Sequence, residues 1–238
     1  MRPRHRSRAP QQIQAVVFDV GRVLYRWDLR HLFAKLIAEE AELERFCTTV
    51  VTPEWHYQHD AGRPIAEMVA ERCAEFPEHA PLIEAYAARF NESIPGPVHG
   101  SLELVEALHA RGVPLYAITN FGAETWAAFR PTAPVFDRFR DIVVSGVEKI
   151  AKPDPAIYAL AADRFGLEPC AMLFIDDTLE NVVAARDCGW HAHHFRDAAG
   201  LDRELRGLGL LHDPVACAHA GADPMSGPGD VLAREDRR

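Results

Sequence analysis

The sequence predicts an α/β fold, a parallel sheet with helices on both faces, carrying an α-helical insertion after its first strand. Three observations predict it. Short apolar, β-rich runs alternate with helix-patterned segments from residue 113 onward, which is the pattern of a helix-covered parallel sheet. The strong runs end in polar residues, so a set of reactive side chains gathers at one edge of that sheet. Between about Asp28 and Pro95 helical periodicity persists with no convincing strand.

The first strand is AVVFDV at 15–20, an apolar run closed by an acidic residue and a glycine. The insertion follows, with apolar residues at helical spacing (Leu29, Leu32, Phe33 and Leu36; later Ile65, Met68 and Val69). Its exit, IPGPVHG at 94–100, is a Pro/Gly hinge signal. A helix is expected over Ser101–Ala110, a strand at VPLYAIT (113–119), and a helix over Ala123–Phe129. Strand IVVS (142–145) precedes a helix over Pro155–Phe165, which Asp154 caps and Pro155 begins. Strand AMLFI (171–175), a helix over Leu179–Asp187 and a weaker strand, HAHHF (191–195), complete the series; Gly166 and Gly189 supply helix stops. The expected organisation is a core of 13–27 and 96–212, a helical cap of 28–95, a disordered basic tail over 1–12 and a disordered tail over 213–238.

Composition narrows the function. The chain has 238 residues, 48% of them hydrophobic, enough for one large domain or a domain with an insertion. The four arginines of residues 1–12 contribute +4 and residues 213–238 contribute −2, so of the net −9 the body between them carries −11. An acidic body repels nucleic acid and anionic membranes, and neither is expected as a partner. No apolar run approaches the roughly 18 residues of a membrane span, and the start lacks the apolar segment of a secretory signal. Five widely spaced cysteines with no CxxC read as inert thiols in a reducing cytoplasm.

The strand ends carry the chemistry. Strand one ends in Asp19, strand two in Thr119 and Asn120, strand four in Asp176 and Asp177, and Lys152 lies in the loop after strand three. Each alone has a structural use, as a cap or a solvated side chain. Together they deliver three carboxylates, a hydroxyl and an ammonium to one crevice. Three carboxylates repel, and a hard divalent cation such as Mg²⁺ is the simplest remedy. Lys152 adds positive charge that keeps Asp19 ionised and draws in a small anionic substrate. An ionised Asp19 on a fixed strand end is a covalent nucleophile of the aspartyl-phosphate type. Thr119 and Lys152 would hold phosphoryl oxygens.

The segments FDVGRVLYRWD (18–28), ITNF (118–121), KPDPAIY (152–158) and FIDDTLENVVAA (174–185) resemble, in order and approximate spacing, the motifs of the haloacid dehalogenase-like (HAD) hydrolase superfamily. The resemblance spans about residues 13–212. It implies a Rossmann-like three-layer core with the insertion as cap, Asp19 as nucleophile, and Thr119 and Asn120 on the substrate anion. It also implies Lys152 as charge neutraliser and a magnesium held by Asp19, the Gly21 carbonyl, Asp176 and Asp177.

One position departs from the family pattern. Superfamily phosphatases commonly carry a second Asp, a general acid–base, where this chain has Gly21. Glycine keeps the carbonyl but cannot protonate a leaving alkoxide, a function worth about 10²–10⁴-fold. Either the leaving group is good, or another residue supplies the proton; Asp28 is one candidate, with a helix-capping role as its alternative. Arg22 stands where a small residue is usual and either binds the substrate anion or points outward. Magnesium-dependent phosphatase, 2-haloacid dehalogenase and a catalytically impaired binding protein therefore remain three distinct readings. Dehalogenases of this superfamily need no proton donor but lack the paired acids of Asp176-Asp177.

Trp27, Trp55 and Phe121 are aromatic candidates for the pocket wall, with Trp126 as core. His56 and His59 are expected to pack; His191, His193 and His194 alternate between strand faces, only His191 and His193 could share one, and packing or exposure is expected of them rather than a metal site. Asn181 either orients a metal-binding carboxylate or caps locally with Thr178.

Overall fold

A computed structural model describes residues 12–212; the tail assignments over 1–11 and 213–238 lie outside the described residues. The central sheet contains β1 (Ala15–Phe18), β4 (Leu115–Thr119), β5 (Asp141–Val144), β6 (Met172–Asp176) and β7 (His191–His194). All pair in parallel, in the order β5-β4-β1-β6-β7. Strand order therefore reverses direction at β1. In an open parallel sheet, that reversal leaves a crevice at the strand's carboxyl end.

Alternation along each strand makes two cores. Val16 and Phe18 join Leu115, Ala117, Leu173 and Ile175 on one face. Ala15 and Val17 join Tyr116, Ile118, Met172 and Phe174 on the other. The first face is covered by α6 (Ser101–Ala110) and α11 (Ala198–Gly207), the second by α9 (Pro155–Phe165) and α10 (Leu179–Asp187). The result is a three-layer α/β fold. Asp154 accepts a hydrogen bond from the Ala156 N–H at 2.8 Å to start α9, and Gly166, at φ +66°, ends it.

Between β1 and β4 the chain leaves and rejoins the core through a short antiparallel pair. There β2 (Tyr25–Arg26) meets β3 (Gly96–Pro97), with Tyr25 opposite Pro97 and Arg26 opposite Gly96. The intervening chain is helical: α1 (Arg30–Phe33), α2 (Glu40–Thr49), α3 (Pro53–Asp60), α4 (Ile65–Glu75) and α5 (Ala80–Arg89). Leu32, Phe33, Leu43, Phe46, Met68, Ile83 and Tyr86 form its buried interior. The core carries two further helices, α7 (Ala123–Phe129) and α8 (Ser145–Glu148).

Helix α3 docks on the loops after β4 and β5. Its Asp60 carbonyl accepts from the Ser145 hydroxyl at 2.5 Å, and Ser145 Oγ in turn accepts from the Phe121 N–H at 2.9 Å. Contact is so close at Gly122 that a Cβ there would lie 1.9 Å from His59 Nε2. Among the described residues no helix is long and apolar enough to cross a membrane.

Candidate active site

The crevice at β1 holds Asp19, which leaves the sheet with its N–H still donating to Ile175 O at 2.8 Å. Lys152 reaches it from the loop after α8. The Lys152 ammonium is buried and has three hydrogens; its three partners are Asp19 Oδ1 at 2.8 Å, Asp176 Oδ2 at 2.7 Å and the Ile118 carbonyl at 3.0 Å. Burial opposes the charge on Lys152, but Asp176 and Asp19 outweigh it and raise its proton affinity above that of an ordinary lysine.

Asp176 is wholly buried. Its Oδ1 accepts from the Thr178 N–H at 2.8 Å, and the Asn181 amide donates to both carboxylate oxygens at 3.1 Å. Asn181 thus orients Asp176; it does not cap with Thr178. Asp177 is more open, 3.7 Å from the Arg22 guanidinium.

Charge is unbalanced at this point. Three carboxylates (Asp19, Asp176 and Asp177) present oxygens within 4.8 Å of one another, with Lys152 the only buried cation among them. Burial pushes the Asp19 carboxyl up to about 7, with Lys152 opposing the rise and Asp176 and Asp177 adding to it. Burial and Asp176 also raise Asp177, against Arg22 and Lys152. Hard, closely spaced oxygen donors with surplus negative charge suit a cation such as Mg²⁺.

Above these groups lies a cavity of about 670 Å³, part of it open to solvent. Asp19, Gly21, Arg22, Asn120, Lys152 and Asp177 form its polar side, and Tyr25, Trp27, Phe90, Phe121 and Phe129 form its aromatic wall. A Cβ placed on Gly21 would meet nothing within 4 Å, so no packing demands glycine there. Arg22 sits in the left-handed region at φ +59°, uncommon for a residue with a side chain. Its guanidinium lies 5.0 Å from the centroid of the Trp27 ring, beside the cavity, and is half-exposed.

Several sequence expectations are redrawn by these positions. Asn120 spends its side chain on the Lys152 main chain: Nδ2 donates to the Lys152 carbonyl at 2.9 Å and Oδ1 accepts from the Lys152 N–H at 2.8 Å. Thr119 is fully buried at the end of β4, next to Asn120 of the cavity lining, and its Oγ1 has no partner among the described residues. Trp55 is not part of the wall; it packs edge-on against Tyr86, with ring centroids 4.9 Å apart. Asp28 is exposed and accepts from the Arg30 N–H at 2.8 Å, a local turn contact away from the cavity. Trp126 packs against Phe136 as a core ring. The strand histidines stand as expected, His191 exposed and His194 bonded to the Asp177 carbonyl at 2.9 Å.

Sequence patterning does not mark Tyr25, Phe90 and Phe129 of the cavity wall, nor two of its polar residues, His56 and Asp60. Their i, i+4 spacing on one helix face was the available signal. His59, by contrast, packs as expected, with Nε2 3.2 Å from Thr125 Oγ1.

Several known proteins are similar to this chain. The chain is 25% identical to the sesquiterpene phosphatase astK of Aspergillus oryzae over 82% of its own length and 96% of that protein. It is 27% identical to a phosphoglycolate phosphatase of Thiobacillus denitrificans, over 76% and 82% of the two chains. The crystal structure of a HAD family enzyme from Bacteroides thetaiotaomicron has the same fold, with a TM-score of 0.65 at 23% identity, covering 82% of this chain and all of that one. The L-2-haloacid dehalogenase of Xanthobacter autotrophicus shares it too, at a TM-score of 0.56 and 18% identity over 82% and 83% of the chains. The family model of the haloacid dehalogenase-like hydrolases matches residues 13–189, and the chain belongs to that family of hydrolases.

Proposed function

We propose that this chain is a magnesium-dependent phosphatase of a small organic phosphate, working through an aspartyl-phosphate on Asp19. The observation that carries the reading is the set of carboxylate oxygens on Asp19, Asp176 and Asp177, within 4.8 Å of one another around Lys152. Such a concentration of negative charge serves a phosphoryl site that binds a cation and is a burden in a site that releases halide. Two relatives named as phosphatases, matched over most of their lengths, support the same direction. A structural neighbour from Bacteroides thetaiotaomicron crystallised with magnesium and inorganic phosphate supports the choice of metal.

Magnesium, when bound by Asp19, Asp177 and Asp176 with the Gly21 carbonyl, would neutralise phosphoryl oxygens and release the proton that burial holds on Asp19. The chain's own groups do the rest. Lys152 fixes Oδ1 of Asp19 and leaves the second oxygen to attack phosphorus. Asn120 holds the Lys152 backbone in place, and the unpartnered Thr119 hydroxyl has a hydrogen bond to give to a phosphoryl oxygen. The aromatic wall excludes water and takes the apolar part of the ester.

Gly21 favours a second reading, 2-haloacid dehalogenation, because a departing halide needs no proton. A paired release assay separates the two: phosphate from a phosphomonoester panel and halide from 2-haloacids, each with magnesium or with chelator. Phosphate release that chelator abolishes is expected. Halide release independent of magnesium, without phosphatase activity, would overturn the reading. Asp19→Asn should lose roughly 10⁴–10⁶-fold in kcat, and full activity in that variant would sink both enzymes together.

A further inference from the structure

Gly21 leaves the proposed reaction without its usual proton donor, and the cavity wall contains a carboxyl that the mechanism has not used. Asp60 lies at the end of α3 and lines the same cavity as Asp19 and Gly21. It is held at both ends. Its carbonyl accepts from Ser145, which also binds the Phe121 N–H, so the backbone is tied to the core loops beneath the cavity. Its Oδ2 lies 3.2 Å from His56 Nε2.

His56 is itself fixed. Its ring stacks on Trp27 at 4.8 Å and on Phe90 at 5.6 Å, and its Nδ1 lies 2.7 Å from the Tyr86 hydroxyl. Burial holds the Tyr86 proton in place. With that hydroxyl donating to Nδ1, the imidazole carries its hydrogen on Nε2 and donates it to Asp60 Oδ2. Among the described residues nothing is bonded to Asp60 Oδ1, which is the oxygen left for the cavity.

We propose that Asp60, oriented by His56, is the proton-transfer carboxyl of this enzyme and replaces the acid that Gly21 cannot supply. The inference rests on the phosphatase reading. In the productive complex Asp60 carries a proton on Oδ1, taken up from solvent. Asp19 then attacks phosphorus; the P–O bond to the alcohol breaks, its electron pair stays on the leaving oxygen, and that oxygen takes the Asp60 proton. Water next attacks the aspartyl-phosphate phosphorus and gives its proton to the Asp60 carboxylate. Phosphate leaves, and Asp19 and the protonated Asp60 are restored. His56 is the positioning residue.

The test uses three phosphates of similar bulk and rising leaving-group basicity: p-nitrophenyl, phenyl and benzyl phosphate, in saturating magnesium. Asp60→Asn keeps an acceptor for His56 and, in single-turnover release of the alcohol, should lose about 10²–10⁴-fold on benzyl phosphate while staying within about threefold on p-nitrophenyl phosphate. Adding Gly21→Asp to that variant should restore benzyl phosphate turnover, because the space at Gly21 is open. An equal loss on all three substrates, or none on any, would overturn the proposal. Gly21→Asp alone gives an independent reading that does not depend on Asp60→Asn folding. It should bring no gain in benzyl phosphate turnover if Asp60 already donates, and a gain of about 10²-fold or more would show that the native site has no acid. An unaltered protein that releases phosphate from none of the three has failed earlier, at the phosphatase reading, and takes this inference with it.

Discussion

At the floor of the cavity, Lys152 has all three of its hydrogens bonded and Asp176 has both oxygens bonded, to groups brought from several strands and loops. On the wall, Trp27, Phe90 and Phe121 meet their neighbours through ring faces and edges, and the buried Trp27 indole N–H has no partner among the described residues. The floor is held by directional bonds between charges in a desolvated site, where each missing partner leaves another stranded. The wall is held by area, which tolerates a change of shape. Chemistry is thus fixed where geometry is least negotiable, and the choice of substrate is placed where it can be altered.

The sharpest break in that contrast is Lys152→Met. Removing one partner of a buried ion pair typically costs about 3–5 kcal/mol, and here it strands two carboxylates at once. Urea denaturation should show that loss along with the loss of turnover. A stability change under about 1 kcal/mol would mean that the floor is as forgiving as a surface ion pair.

Magnesium should act on the floor in a pH-dependent way. Asp19 sits near 7 in the folded chain against an ordinary 3.8, so the folded state holds its proton across that interval while the unfolded state releases it. Without metal, the Asp19 contribution therefore lowers stability as pH rises from about 4 to about 7, and it stays low above that. Magnesium needs the carboxylate form and competes with the proton below 7. The rise in Tm on adding magnesium should be larger at pH 8 than at pH 5.5; saturation at a hundredfold excess over Kd corresponds to about 2.7 kcal/mol. An equal rise at both pH values would remove Asp19 from the metal site. The wall should respond differently. Trp27→Ala is expected to raise KM roughly tenfold, about 1.4 kcal/mol, with kcat little changed, and a comparable loss in kcat would move Trp27 from selectivity into chemistry.

The floor was legible in sequence and much of the wall was not, for a physical reason. Asp19 and Asp176 end apolar runs whose burial on both faces marks them as central strands, and Lys152 lies in the loop that follows the edge strand β5 and α8, so their gathering at one end of the sheet follows from topology. Helices α6, α7, α9 and α10 announce themselves through apolar spacing and, for α9, its cap at Asp154 and stop at Gly166. The ribbon of β2 and β3 has two residues per strand, too few for any period to show. Helix α11 opens on Ala-Ala-Gly and was not expected; its start is the Asp197 carboxylate accepting from the Gly200 N–H. His56 reads as packing and Asp60 carries no signal of its own, because their use depends on which way α3 docks, and that is decided by contacts such as Ser145 with Asp60, 85 residues apart.

Asp28 supplies the smallest and most discriminating case. It opens the inserted segment next to Trp27, which does line the cavity, so proximity in sequence made it a candidate acid. Its Oδ1 instead accepts from the Arg30 N–H at 2.8 Å, and its own N–H donates to the Ser93 carbonyl at 3.1 Å. Those bonds stitch the first turn of α1 to the end of the inserted helices. Asp28→Ala should therefore cost about 0.5–2 kcal/mol of stability, the range for losing a capping side chain, and leave kcat on benzyl phosphate unchanged. Urea denaturation and steady-state kinetics on the same preparation would decide it. A loss of turnover confined to basic leaving groups, with stability intact, would return the proton to Asp28 and take it from Asp60.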